Sequence, residues 1–163
     1  MNIGDRAPDF SLPDTDGVEH GPEGVTVVCF TCNHCPYALG WHDGLLQAAR
    51  DYPQVTFLAV NPNDGERYPA DSYEAMKDRV EADGGWPHPY LRDETQAVAA
   101  AYGAKTTPDL FVLDADSRVR YRGAPDSDRR DTAWLREALD AVLAGQEPAK
   151  PETEPVGCSI KWR

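Results

Sequence analysis

Cys32-Asn33-His34-Cys35 places two of the chain's four cysteines two residues apart. Thiols at this spacing can close into a small disulfide and reopen, exchanging two electrons with another thiol–disulfide couple. The apolar run Val25 to Phe30 leads into the pair, and Pro36 follows it, where the first turn of a helix tolerates a residue without an N–H. A strand ending at a helix start sets both sulfurs among unpaired N–H groups at the positive end of the helix dipole, which favours a thiolate. On this spacing Cys32 attacks a disulfide and Cys35 resolves the mixed disulfide that forms. His34, between them, would stabilise the Cys32 thiolate if partly charged, which favours the dithiol form and makes the couple more oxidising.

Two other thiols fall outside the pair. Cys29 lies within the apolar run and reads as a buried, inert thiol. Cys158 is close to the C-terminus in Val156-Gly157-Cys158-Ser159-Ile160-Lys161-Trp162-Arg163, a segment too apolar for a free tail. If the tail docks, Cys158 is either a third redox thiol relaying to the pair or a packing residue in an edge strand. A different chemistry would hold copper or zinc through Cys32, Cys35 and a histidine. Zinc takes four ligands, and the histidines at 20, 34, 42 and 88 supply no second cluster by spacing.

The elements that must position these residues follow from periodicity. Val25–Phe30 and Val55–Val60 are continuous apolar runs, as in buried strands, with a helical pattern from Pro36 between them and Asp51-Tyr52-Pro53 ending it. Asp71-Ser72-Tyr73-Glu74 opens a second helix in the manner of a capping box. Prolines hold Trp86 to Leu91 extended, and Thr95 to Tyr102 is a short helix. Leu110–Leu113 and Val119–Arg122 flank a turn as a hairpin, and Trp134 to Leu143 is the last helix. Asp14-Thr15-Asp16-Gly17 marks a small N-terminal hairpin. This order predicts an α/β fold: a mixed central sheet flanked by helices, with an N-terminal β-hairpin extension and a C-terminal tail. Residues 1–145 form the domain, and 146–163 are a proline- and glutamate-rich linker with the docked tail.

Composition narrows the partners. A net charge of −12, from 28 acidic against 16 basic residues, argues against nucleic acid and anionic membrane as partners and suits a soluble acidic protein, with a high-salt source equally open. The first residues lack the basic start and apolar core of a signal peptide, so the expected location is cytoplasmic, where thiols stay reduced unless they cycle.

Further stretches carry a family resemblance: Gly4-Asp5-Arg6-Ala7-Pro8-Asp9-Phe10, Phe30 through Tyr37, Asn61-Pro62-Asn63-Asp64, Thr106-Thr107-Pro108-Asp109 and Gly157 through Trp162. Together they resemble the peroxiredoxin-like branch of the thioredoxin superfamily, related to alkyl hydroperoxide reductase and thiol-specific antioxidant proteins. The resemblance implies the thioredoxin fold, with Pro108 cis and facing the Cys32–Cys35 pair, and with Thr107 and Pro108 shaping the substrate groove. It implies thiol–disulfide exchange with protein or low-molecular-weight disulfides, electrons from a thioredoxin-reductase-like or small-thiol donor, and no metal or organic cofactor beyond the redox-active disulfide. The alternative within the family is a thiol peroxidase with antioxidant function. The threonine that orients a peroxide-reducing thiolate stands three residues before it, and those positions are Cys29 and Cys32 here. Thioredoxins also bury an acid six residues before the first cysteine, where this chain has Thr26. With His34 acting as argued, the couple should lie near the roughly −120 to −180 mV of disulfide oxidases and isomerases rather than thioredoxin's roughly −270 mV.

Overall fold

A computed structural model describes residues Met1–Arg163. Nine strands and four helices follow in order: β1 Leu12–Pro13, β2 Glu19–His20, β3 Thr26–Phe30, α1 Pro36–Asp51, β4 Thr56–Asn61, α2 Tyr73–Ala82, β5 Tyr90–Arg92, α3 Ala97–Tyr102, β6 Thr106–Thr107, β7 Asp109–Leu113, β8 Val119–Gly123, α4 Ala133–Leu143 and β9 Cys158–Ser159. The central sheet runs β5-β4-β3-β7-β8. β3, β4 and β5 are parallel, β7 is antiparallel to β3, and β8 returns antiparallel to β7. This is the expected mixed sheet with helices against it. β1 and β2 form the N-terminal hairpin, with Leu12 opposite His20.

Alternation along the strands splits the core between the two faces of the sheet. Val28, Phe30, Leu58, Val60, Phe111 and Leu113 pack with Ala99 and Tyr102 of α3. Val27, Cys29, Phe57, Leu110 and Val112 pack with Ala48 of α1 and Leu135, Ala138 and Leu139 of α4. Fully burying a side chain of this size stabilises by about 1.5–3 kcal/mol, so these two layers fix the ends of β3 and β7 between which the cysteines lie. Cys29 belongs to the second layer, where burial pushes its thiol well above the usual range.

One detail of α1 bears on packing and one local expectation changes. Gly40 and Gly44 lie within α1, which is continuous over 16 residues. They let the loop before α4 pack closely: a Cβ on Gly40 would lie 3.2 Å from Arg129 Cβ, and Trp41 Nε1 donates to Asp128 O and Asp131 O at 3.0 and 2.9 Å. The segment read as an extended linker is docked in part. Arg122 N donates to Pro151 O at 3.1 Å and Thr153 N to Arg122 O at 3.0 Å, so the chain covers the open edge of β8, which would otherwise be a free pairing surface. Beyond it β9 pairs antiparallel with β6, Thr106 opposite Ser159 and Thr107 opposite Cys158. Ile160 enters the first core layer. No helix is long and apolar enough to cross a membrane.

Candidate active site

Cys35 is the N-cap of α1, and Pro36 occupies the first helical position. The Cys35 side chain makes no cap of the ordinary kind, but its sulfur sits where the helix start is richest in free donors. The N–H groups of Tyr37 and Ala38 both act on it, as do the thiol and the backbone N–H of Cys158. Burial works against ionisation, yet these donors outweigh it and hold the Cys35 thiol below its ordinary value. As a thiol, Cys35 donates to Thr107 O at 3.1 Å.

Cys32 has a different neighbourhood. It is wholly buried, its sulfur lies 3.2 Å from Thr107 Oγ1, and it accepts from Cys35 N at 3.3 Å. Burial, with the Asp71 carboxylate added, outweighs the Thr107 hydroxyl and pushes the thiol up to about 11. The spacing argument predicted the stabilised thiolate at Cys32. In the structure the N–H groups of Tyr37 and Ala38 fall on Cys35, while burial and Asp71 outweigh those of His34 and Cys35 that fall on Cys32.

Thr107 is the residue that gathers the pair, its hydroxyl on one sulfur and its carbonyl on the other. The Thr107–Pro108 bond is cis, as the resemblance implied.

His34 lies beside Cys32: a ring nitrogen of His34, the Cys32 sulfur and an Asp71 carboxylate oxygen are within 4.8 Å of one another. His34 Nδ1 meets Asp71 Oδ2, and the ring stacks on Tyr68 with planes 3° apart. These three groups offer metal-ligand atoms, but the Asp71 carboxylate already serves other donors. Its Oδ1 accepts from Asn33 N at 2.6 Å and Asn61 Nδ2 at 3.2 Å, and its Oδ2 from Asn63 Nδ2 at 3.0 Å. So saturated a carboxylate acts as the acid that orients His34, not as a free ligand.

Sequence reasoning missed this polar wall. Asp71 was read only as the start of a helix signal, whereas Ser72 is the cap, accepting from Ala75 N at 3.1 Å, and Asp71 turns inward. Arg79 donates to Cys32 O at 3.1 Å and to Asn33 Oδ1 at 2.9 Å, and Tyr90 OH donates to Asn33 Oδ1 at 2.7 Å. Asn61 ends β4 and Asn63 follows it, and no local signal in the sequence ties them to Asp71 eight or more residues on. The arginines of β8 go elsewhere: Arg120 to Asp114 at 2.7 Å, and Arg122 over the Phe111 ring and onto Met1 O. His42 and His20 pair with Asp83 and Asp14, and His88 is half-buried with its Nδ1 3.0 Å from Pro89 O.

Asp109, next after Pro108, is a buried acid that the comparison at position 26 did not anticipate. Lys105 N donates to its Oδ2 at 3.0 Å, while Oδ1 has no partner. Burial raises its carboxyl to about 6.

Comparison with known proteins places this site in a family. A family model described as the AhpC/TSA family matches residues 3–122. An uncharacterized conserved protein from Geobacillus kaustophilus is 41% identical, the match covering 99% of this chain and 93% of that one, with a TM-score of 0.93. A hypothetical protein from Sinorhizobium meliloti is 36% identical over 100% of this chain and 96% of that one, also at 0.93. A putative thioredoxin from Neisseria meningitidis shares the fold, with 23% identity, 88% and 93% coverage and a TM-score of 0.71. No curated protein matches.

Proposed function

The chain belongs to the AhpC/TSA family and has the thioredoxin fold, and from that premise we propose that it is a thiol–disulfide oxidoreductase using Cys32 and Cys35 as its redox pair. The observation that carries this reading is the convergence of both sulfurs on Thr107, at 3.2 Å and 3.1 Å, with Cys35 N 3.3 Å from Cys32 Sγ. In the reaction a thiolate of the pair attacks a substrate disulfide and releases one substrate thiolate. A second protein thiol then displaces the other, so the substrate gains two electrons and the protein holds a disulfide. The surroundings support Cys35 as the thiolate that opens the cycle, with Cys32 as its partner, the reverse of the order that spacing suggests. His34 and Asp71 set the charge beside Cys32, and Thr107-Pro108 shape the groove.

On this reading the protein needs no cofactor beyond its disulfide. Its substrates are protein or low-molecular-weight disulfides, and a thioredoxin-reductase-like or small-thiol donor returns the electrons in a cytoplasmic setting. Family membership also admits peroxide reduction, but no threonine stands three residues before either cysteine of the pair to orient a peroxide. The deciding experiment equilibrates the protein with glutathione buffers, maps its disulfides and follows insulin reduction driven by a dithiol. A Cys32–Cys35 disulfide and turnover lost in Cys35→Ser are expected. Inert exchange with rapid peroxide consumption would replace this reading by the peroxidase.

A further inference from the structure

The proposed cycle leaves one thiol of the cluster unused. Cys158 packs against Cys32, Cys35 and Ala38 from a tail that approaches over the opposite wall of the site. Both its thiol and its backbone N–H act on the Cys35 sulfur. Among the three sulfurs it is the one not fully buried.

The tail is fastened on both sides of Cys158. Upstream, Thr153 Oγ1 bridges Tyr121 OH at 2.9 Å and accepts from Ala124 N at 3.0 Å. Downstream, Ile160 N donates to Lys105 O at 3.2 Å, Lys161 N to Asn63 Oδ1 at 2.9 Å, and Asp64 N to Lys161 O at 2.8 Å. Between these anchors Gly157 runs so close to the Thr107 carbonyl that a Cβ there would collide with its oxygen. Only glycine lets the chain reach this depth, and the next residue is the cysteine. A loosely packed tail would need neither the glycine nor anchors on three separate segments.

We propose that Cys158 is a further resolving residue of the site, closing a Cys35–Cys158 disulfide in competition with Cys32–Cys35. This rests on the thiol–disulfide reading above. In the step, a mixed disulfide joins Cys35 to a substrate sulfur. The Cys158 thiolate attacks Cys35 Sγ, the Cys35–substrate bond breaks, and the Cys158–Cys35 bond forms. The substrate leaves as a thiolate and takes up the proton that Cys158 gave. Cys35 and Cys158 are oxidised by two electrons, and the substrate disulfide has received both. Burial and the neighbouring Cys35 thiolate raise Cys158 as well, but the Cys35 contribution vanishes once that sulfur is held in the mixed disulfide, whereas burial and Asp71 continue to oppose the Cys32 thiolate. The resulting disulfide has one half-buried sulfur, open to an incoming small-thiol or dithiol reductant.

The test loads Cys35 with a chromogenic aromatic disulfide and follows release of the second aryl thiol, with disulfides then mapped by mass spectrometry without reduction. In Cys32→Ser, release should be intramolecular and leave a Cys35–Cys158 disulfide. In Cys32→Ser/Cys158→Ser the mixed disulfide should persist, with release slower by at least about a hundredfold, as expected when a positioned thiol is removed. Gly157→Val retains the thiol but undocks it, so added to Cys32→Ser it should slow release at least about tenfold. Circular dichroism of each variant checks that the fold is kept. Equal persistence of the mixed disulfide in Cys32→Ser and the double variant would overturn the proposal while leaving the redox pair intact. Failure of the wild type to release any aryl thiol from the aromatic disulfide would instead sink the underlying reading.

Discussion

The two cysteines of one short motif sit in opposite surroundings. Cys32 backs onto a wall of side chains, Asp71, His34, Asn61 and Asn63, whose acid lies close enough to oppose ionisation of the thiol. Cys35 faces the Cys158 thiol and the N–H groups of Ala38, Cys158 and Tyr37. Three residues of separation therefore exchange a thiol raised by its surroundings for one that is lowered. The helix start and the docked tail, not the order of the cysteines along the chain, set this difference.

The largest effect that tests this contrast is thiol reactivity. Cys32→Ser leaves Cys35 to react, and Cys35→Ser leaves Cys32, whose thiol is pushed up to about 11. At neutral pH, iodoacetamide should alkylate the surviving site thiol at least about a hundredfold faster in Cys32→Ser, since each pH unit of thiolate depletion costs about tenfold. A Cys29→Ser background with the label mapped by mass spectrometry confines the signal to the pair while keeping Cys158, whose thiol and N–H act on Cys35. Equal rates, or a faster Cys32, would break the comparison and restore the order that spacing suggests.

The flanking acids extend the contrast to stability. Asp71, beside Cys32, has both carboxylate oxygens hydrogen-bonded, whereas Asp109, beyond Pro108, leaves Oδ1 without a partner. Burial raises Asp109 to about 6 from an ordinary value of 3.8. The folded state thus binds this proton more tightly than the unfolded chain does. The stabilisation is complete below about pH 4 and is lost as pH rises through 6, an effect of up to about 3 kcal/mol. Asp109→Asn does not titrate, so denaturation should show it gaining on the wild type between pH 4 and 7. A difference in stability that stays flat across that window would remove Asp109 as an ionising buried acid.

Much of this arrangement was legible beforehand. The apolar runs at Val25–Phe30 and Val55–Val60, the proline after Cys35 and the hairpin turn at Asp114 each carry local chemistry that permits few conformations, and the sheet follows from them. The tail was legible as a docking segment from its apolar residues: Cys158 and Ile160 pack as that argument expects, whereas Trp162 stays 42% exposed. What spacing could not show is which sulfur each donor reaches. Periodicity locates Cys35 at a helix start to within a residue or two, and that uncertainty is as large as the distance between the two thiols. Asp71 was hidden for a related reason: an acid beside a serine at a helix start is indistinguishable from an exposed cap until β4 brings Asn61 and Asn63 around it. Asp109 was concealed by position, since its burial depends on pairing with Phe30 across the sheet.

The smallest effect concerns His34. The sequence argument treated it as a partly charged imidazole favouring the Cys32 thiolate, while the structure turns its Nδ1 to the Asp71 carboxylate. Replacing it in His34→Ala leaves the carboxylate facing Cys32 with one partner fewer. The Cys32 thiolate becomes scarcer, and because this thiol is already protonated at neutral pH the change is read in reactivity, as slower alkylation of Cys32 by iodoacetamide in a Cys35→Ser background. One pKa unit at one thiol corresponds to about tenfold in thiolate, and that bounds the expected fall in rate. Because the imidazole also stacks on Tyr68, His34→Phe serves as the control that keeps the stacking and removes the charge. Both variants should slow alkylation of Cys32 in that background, in the same direction. A slowing in His34→Ala that His34→Phe does not reproduce would assign His34 to packing, and would leave the donors around Cys35 as the main asymmetry of the site.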